Sequence, residues 1–416
     1  MIGAKVLVYG DSPAVNTGLG IVCRENIQAL LSAGCEVTCM GVNHHVAYVD
    51  PVEYPFPIYA AHVNHEGDTL GRAAFVRLAR RFRPDFVLIS FDVPLAAQLI
   101  RLLRRDGQHV PVVVYCPVDR RLYPSDITQE SSTASWLCYT HWGAGELRRL
   151  GLEAGTVYLG CDTHAFRPLT AEERREARGR IFGIGDDGEI LVVSVGRNQW
   201  RKDPGRALLA FKAFSRLLAR RARLYLHASH DAPCGAPLKL MAQDLDFDLA
   251  AGEFILAPSE YVEGISDVAV EQMRLIYGCA DVVLSVSMGE GWGFSTTEAF
   301  AVGVPFVGPR NSATTELVGE AEERGWLIRC RGEQFAYGFD YHPRPVVDVS
   351  DAARRLWEAT VSEEHRRERE IKVARALEWV RRYTWEVHRR ALVLALEGVL
   401  TAREVTEQAS QGVNGP

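Results

Sequence analysis

Short apolar runs recur along the first part of the chain, at Lys5 to Gly10, Cys35 to Val42, Phe86 to Ser90, Val112 to Cys116, Ser135 to Thr140 and Thr156 to Gly160. Between them, Leu19 to Ala33, Leu70 to Arg83 and Pro94 to Asp106 carry apolar residues at helical spacing. Strands buried on both faces read as continuous apolar runs, so the alternation predicts a parallel sheet covered by helices. A second series follows the charged stretch Thr170 to Gly188, with strands expected at Ile190 to Val195, Leu224 to Ala228, Phe254 to Ala257, Val282 to Val286 and Pro305 to Val307. Helical segments such as Pro204 to Leu218 and Val268 to Tyr277 separate these runs. The pattern predicts an α/β chain of two doubly wound domains: residues 1–165, a linker at 166–188, and residues 189–380. Ligands bind such sheets at the carboxyl ends of their strands, so two domains facing each other would form a central cleft. Beyond Glu404 apolar content fades, and 404–416 reads as a disordered tail.

Composition narrows the class without naming a chemistry. At 416 residues, 47% hydrophobic and 24% charged, the chain exceeds what one core usually fills. No apolar run reaches the length of a membrane span, and Met1-Ile-Gly-Ala-Lys-Val-Leu-Val-Tyr9 reads as a first strand rather than a secretory signal, so the expected location is the cytoplasm. Nine cysteines, several inside apolar runs and none in paired C-x-x-C spacing, read as small core residues. With a net charge of −6 and no basic excess in the first domain, a nucleic-acid partner is not favoured.

Chemistry concentrates in Glu290-Gly-Trp-Gly-Phe-Ser-Thr-Thr-Glu298, which follows the apolar run Ala280 to Ser287 and places two carboxylates eight residues apart. Ser295 and Glu298 have the spacing of a capping box, which predicts a helix beginning near Thr296 with its amide end toward the turn. Gly291 and Gly293 allow backbone amides close to a phosphate, and both carboxylates can accept hydroxyl hydrogens. Diphosphate and hydroxyls together describe a nucleotide sugar. After the strand Val193 to Gly196, Arg197 and Lys202 leave in a basic loop where a diphosphate would lie, with Arg201 between them able to replace either.

The first segment resembles the E-x7-E signature of the retaining glycosyltransferases of the GT-B fold, in particular glycosyltransferase family 4. The similarity continues into Gly303-Val-Pro305 and Thr315-Glu316-Leu-Val318. The resemblance implies a GT-B fold of two Rossmann-like domains facing a cleft, the first for the acceptor and the second for the nucleotide sugar, with the helix of about 384–400 crossing back to the first. It implies a hexosyl transfer with retention at C1, using no metal and no cofactor besides the donor itself. Glu290 would then hold the sugar and Glu298 the ribose. Arg197 and Lys202 would hold the phosphates, and Gly291, Trp292, Gly293, Phe294, Ser295 and Thr296 would line the donor turn. In the first domain, Gly18 and Gly20 with Thr17 match the family's loop facing the phosphates, and Asp119 matches a residue near the acceptor hydroxyl. Gly160-Cys-Asp162 to Pro168 marks the hinge.

Other patterns carry less. The first turn lacks a third glycine near Cys23 and an acid at Met40, which counts against a dinucleotide. Asp244-Leu-Asp246-Phe-Asp248 has D-x-D spacing and His44, His45, His62 and His65 cluster in sequence, yet no strand end or ligand motif accompanies either as a metal site. Loops at His227 to Asp231 and Pro258 to Tyr261 are the candidates for reading the base. Gly308-Pro-Arg-Asn-Ser312 replaces the glycine-rich turn usual before Glu316 in the family. Acceptor, sugar and base stay open, as do a non-catalytic nucleotide-sugar binder and a GT-B sugar-nucleotide epimerase or phosphorylase.

Overall fold

Val6 to Tyr9, Val87 to Ile89 and Val112 to Cys116 have almost no exposed surface, so these strands must be covered on both faces. The computed structural model describes residues 1–416 apart from 45–49, 63–66, 186–187, 231–234, 259–269, 336–340 and 413–416, with the backbone alone for 403–412. It divides into one unit of Met1–Gly160 with Trp385–Pro416 and another of Cys161–Thr384.

The first unit runs β1 (Lys5–Asp11), α1 (Gly18–Ser32), β2 (Glu36–Val42), β3 (Ile58–Ala60), α2 (Arg72–Phe82), β4 (Phe86–Ser90), α3 (Val93–Arg105), β5 (Val112–Cys116), β6 (Ser135–Cys138), α4 (His141–Arg149) and β7 (Ala154–Thr156). The strands form one sheet in the order β3-β2-β1-β4-β5-β6-β7, every pairing parallel.

The second unit runs α5 (Ala171–Phe182), β8 (Ile190–Val195), α6 (Pro204–Ser215), β9 (Ala222–His227), α7 (Leu238–Asp244), β10 (Phe254–Leu256), α8 (Val270–Cys279), β11 (Val282–Leu284), α9 (Phe294–Ala301), β12 (Phe306–Pro309), α10 (Ser312–Val318) and β13 (Trp326–Ile328). Its sheet is again parallel, in the order β10-β9-β8-β11-β12-β13. An antiparallel hairpin of β14 (Cys330–Phe335) and β15 (Pro343–Val347) follows, then α11 (Val349–Thr360) and α12 (Arg366–Val380). In each sheet the strand order reverses beside the first strand, between β1 and β4 and between β8 and β11. Carboxyl ends at such a reversal are where doubly wound sheets hold ligands.

Helix α13 (Trp385–Gly412) belongs to the first unit. Its His388 lies buried between the Tyr158 carbonyl at 2.9 Å and the Asn26 side chain at 3.1 Å, and Leu392 and Leu396 have no exposed surface. The expectation of a disordered tail from 404 is corrected: the helix continues to Gly412. Ala402, Arg403, Glu404, Glu407, Gln408 and Ala409 all favour helix intrinsically, so propensity extends what an absence of apolar residues seemed to end. The stretch 166–188, read as a linker, holds α5, whose Arg174 and Arg178 bond to Asp281 at 2.7 and 3.0 Å in the same unit.

Beyond β5, the buried Arg120 guanidinium forms two bonds to Asp126, at 2.8 and 2.7 Å, and fixes the loop that carries Asp119. Removing one partner strands the other charge. Asp126→Ala is expected to cost about 3 to 5 kcal/mol, read as an earlier urea transition; an unchanged midpoint would mean that the guanidinium finds water.

Candidate active site

Two loops leave neighbouring strands at the carboxyl end of the second sheet, one after β8 and one after β11, and they are stitched together. Met288 N donates to Arg201 O at 2.7 Å, Ser287 Oγ donates to Gly289 O at 2.9 Å, and Arg201 Nη1 donates to the same Gly289 carbonyl at 3.0 Å. Glu290 sits in the seam with 8% of its surface exposed. Lys202 Nζ bonds to its Oε1, and Arg201 Nη1 lies 3.7 Å from its Oε2. Burial pushes the Glu290 carboxyl up, but Lys202 and Arg201 more than offset it and hold it below its usual range. Glu290 is therefore a fixed anion at neutral pH. Its backbone is pinned as well, because Glu290 N donates to Ser312 Oγ at 2.9 Å. Ser312 sits at φ +40°, a left-handed conformation unusual outside glycine.

Helix α9 begins at Phe294 rather than Thr296, and Gly293, not Ser295, is its cap, with no side-chain bond. The expected capping box is not formed. Gly293 takes φ +103°, and a Cβ there would lie 3.1 Å from Thr296 Oγ1, so the turn depends on glycine. Starting two residues earlier carries Glu298 past the first amides and into the helix. Its carboxyl is pushed up to about 7 by burial, an effect partly offset by the neighbouring Tyr277 hydroxyl.

The fold brings Lys202 and Arg201 to Glu290, with Arg201 rather than Arg197 beside the carboxylate. Arg197 stands exposed at the end of β8, with no ion pair among the described residues. The Trp292 side chain turns into the core, 3% exposed and 6.5 Å from the Trp379 ring centre on α12, so its backbone is the part left to the turn. Ser295 is half-buried, and Thr296 is buried at the helix start.

In the first unit, Thr17 caps α1 by accepting from Gly20 N at 2.9 Å while donating to Asp11 at 2.6 Å. A Cβ on Gly20 would meet Val15 O at 2.2 Å, so this glycine is demanded by the turn itself. Gly18 is exposed at the helix start, and Asp119 is half-buried beyond β5.

Sequence reasoning missed Asn198, Ser312 and Tyr277. Asn198 is buried and joins Ser229 O at 3.0 Å to Ala236 O and N at 2.9 and 2.8 Å, setting the base-side loop. Its place four residues before Lys202 was the available signal. In that loop, burial pushes His227 down to about 4, leaving it neutral, and His230 Nε2 bonds to Ala257 O at 2.6 Å. Asp231 and Ser259 to Tyr261 lie outside the described residues, as do His45 and His65; His44 bonds to Ser12 Oγ at 2.7 Å. Asp248 accepts from Ala251 N at 2.9 Å as a turn residue.

Residues 189–339, within the second unit, match the family model described as glycosyl transferases group 1. No curated protein matches the chain by sequence. Among solved structures, sucrose-phosphate synthase from Thermosynechococcus elongatus is 14% identical with TM-score 0.72, the match covering 96% of this chain and 100% of that one. The α,α-trehalose 6-phosphate synthase of Burkholderia multivorans is 13% identical with TM-score 0.68, covering 97% and 100%. Anabaena HepE in complex with UDP-glucose is 12% identical with TM-score 0.67, covering 95% and 100%. The two parallel-sheet domains are those of the GT-B fold. No helix among the described residues is long and apolar enough to cross a membrane.

Glu298 generates a pH prediction. With a folded value near 7 against 4.5 unfolded, the native state holds the extra proton, so this group's contribution is most favourable below about 4.5 and is lost as pH rises through 7. Relative to Glu298→Gln, the wild type should lose at most about 3 kcal/mol between pH 4.5 and 8, measured by urea melts at both ends. Parallel profiles would place the carboxyl in water.

Proposed function

From a glycosyltransferase of the GT-B fold as premise, we propose that this enzyme moves a hexosyl group from a nucleoside diphosphate sugar to an acceptor hydroxyl, with retention at C1 and without a metal. The observation that carries the reading is the buried Glu290 anion between Lys202 and Arg201 beside the uncapped amino end of α9.

The C1–O bond to the donor breaks with its electron pair passing to the β-phosphate oxygen, so negative charge grows on the diphosphate. Preorganised positive groups there lower the barrier. Lys202 has three N–H donors and can keep Glu290 while taking a phosphate oxygen; Arg201 and the amides of Gly293 to Ser295 add to it. This charge complement is why the reading needs no metal. Arg197, exposed at the end of β8, would close on the phosphates from solvent. Glu290, ionised, accepts from the sugar hydroxyls, and Glu298 from the ribose. Ribose binding requires the Glu298 carboxylate, so donor affinity should rise with pH through about 7. Acceptor oxygen forms the new bond to C1 on the leaving-group face, and its proton passes to the departing phosphate. Asp119 is assigned to that hydroxyl, and the cytoplasm remains the expected location.

Two measurements test this. Nucleoside diphosphate release from UDP-, GDP- and ADP-sugars, with pooled acceptors, is expected with one donor; UDP-sugars come first because HepE was solved with UDP-glucose. Isomerised donor or sugar phosphate as product would favour an epimerase or phosphorylase, and tight binding with no release under any acceptor a non-catalytic binder. In the Lys202→Ala variant, turnover should fall about 10- to 150-fold, one charge-assisted hydrogen bond being worth about 1.5 to 3 kcal/mol. Unchanged turnover would remove Lys202 from the chemistry.

A further inference from the structure

The turn that carries Glu290 is closed from outside by the turn after β12. Glu290 N donates to Ser312 Oγ at 2.9 Å and Ala313 N donates to Glu290 O at 3.3 Å, so both polar groups of the Glu290 backbone are answered by consecutive residues at the start of α10. Ser312 Oγ in turn donates to Asn311 Oδ1 at 3.1 Å, and Asn311 Nδ2 donates to Ser287 O at 3.2 Å. Ser287 Oγ completes the circuit by donating to Gly289 O at 2.9 Å. Each link has a direction set by its neighbour. The Asn311 amide nitrogen faces a carbonyl, so its oxygen is turned to Ser312; the Ser312 hydroxyl gives its hydrogen to that oxygen and keeps a lone pair for Glu290 N.

Serine is not the residue that this backbone favours. Ser312 lies at φ +40°, where any side chain carries strain and glycine does not. The residue is 5% exposed, and its hydroxyl bonds run to Glu290 and Asn311 rather than to solvent. What the hydroxyl supplies against the strain is a fixed Glu290, whose carboxylate meets Lys202 and Arg201.

We propose that Ser312 is a positioning residue for glycosyl transfer: its hydroxyl sets the Glu290 backbone and so aims the carboxylate at the donor's sugar hydroxyls. The proposal rests on the donor-site reading above, in which Glu290 accepts from the sugar. Hydrogen bonds weaken steeply as their angles open, so a Glu290 released by a fraction of an ångström loses its hold on the sugar while the diphosphate keeps its own partners.

The test is Ser312→Gly, which removes the hydroxyl and relieves the backbone together, so the melting transition should not fall. With the donor that turns over in the panel above, kcat/KM should drop about 2- to 12-fold, one hydrogen bond being worth about 0.5 to 1.5 kcal/mol. Calorimetric affinity for the matching nucleoside diphosphate, which has no sugar, should be unchanged. In a Glu290→Ala background the same substitution should add nothing, because the hydroxyl would act through a side chain that is gone. Asn311→Ala leaves Ser312 in place and frees its hydroxyl to turn; it should shift kcat/KM the same way, and it carries the test if the Ser312→Gly chain melts early. Unchanged turnover in both variants, an equal fall in the Glu290→Ala background, or a loss confined to nucleoside diphosphate binding each overturns the positioning role. A Glu290→Ala enzyme as active as the wild type would instead remove the donor-site reading on which it rests.

Discussion

A carboxylate placed out of water must be answered by positive charge, and Glu290 imposes that demand on everything around it. Its partners come from a loop 88 residues earlier in the chain, so the turn after β8 and the turn after β11 are each incomplete alone. Parallel strands β8 and β11 lie side by side, which brings both turns to one edge of the sheet. The Ser287 and Arg201 bonds then hold them in register, and Ser312 adds the start of α10 to the same knot. The anion is therefore the structural tie between the two turns. A site built this way is ordered before any ligand arrives.

Legibility in the sequence followed the physics of each feature. Strands such as Phe86–Ser90, Val112–Cys116 and Ile190–Val195 have the predicted bounds because burial on both faces writes an uninterrupted apolar run. Three-residue β3 and β13 were not read, whereas β10 and β11, equally short, were read from apolar runs that extend past the strand. Hairpin β14–β15 reads Cys-Arg-Gly-Glu-Gln-Phe in its first strand, polar enough to hide. The capping box failed because glycine at 293 can take a backbone conformation that starts the helix sooner than Ser295 could. Local pattern cannot weigh such a choice.

Within the site, residue type was legible and partnership was not. Glu290 and Lys202 declared themselves by spacing after strands, but whether Arg197 or Arg201 meets the carboxylate depends on a short 3-10 turn over Trp200–Lys202 that turns the second inward. Trp292 was set in the donor turn by the family resemblance of its segment. Its ring packs on Trp379, which also meets Phe300, beneath the turn. Asn198 acts on Ser229 and Ala236, more than thirty residues away, and only its place four residues before Lys202 hinted at it.

The two ends of the second sheet solve opposite problems with the same side chains. At the carboxyl ends, cations gather around an anion that the protein itself supplies, and a diphosphate would have to share them. At the amino ends, Arg174 and Arg178 are spent on Asp281, which also accepts from Leu191 N at 2.7 Å and so ties β11 to β8. That tie fixes the spacing of the strands whose far ends carry Glu290 and Lys202.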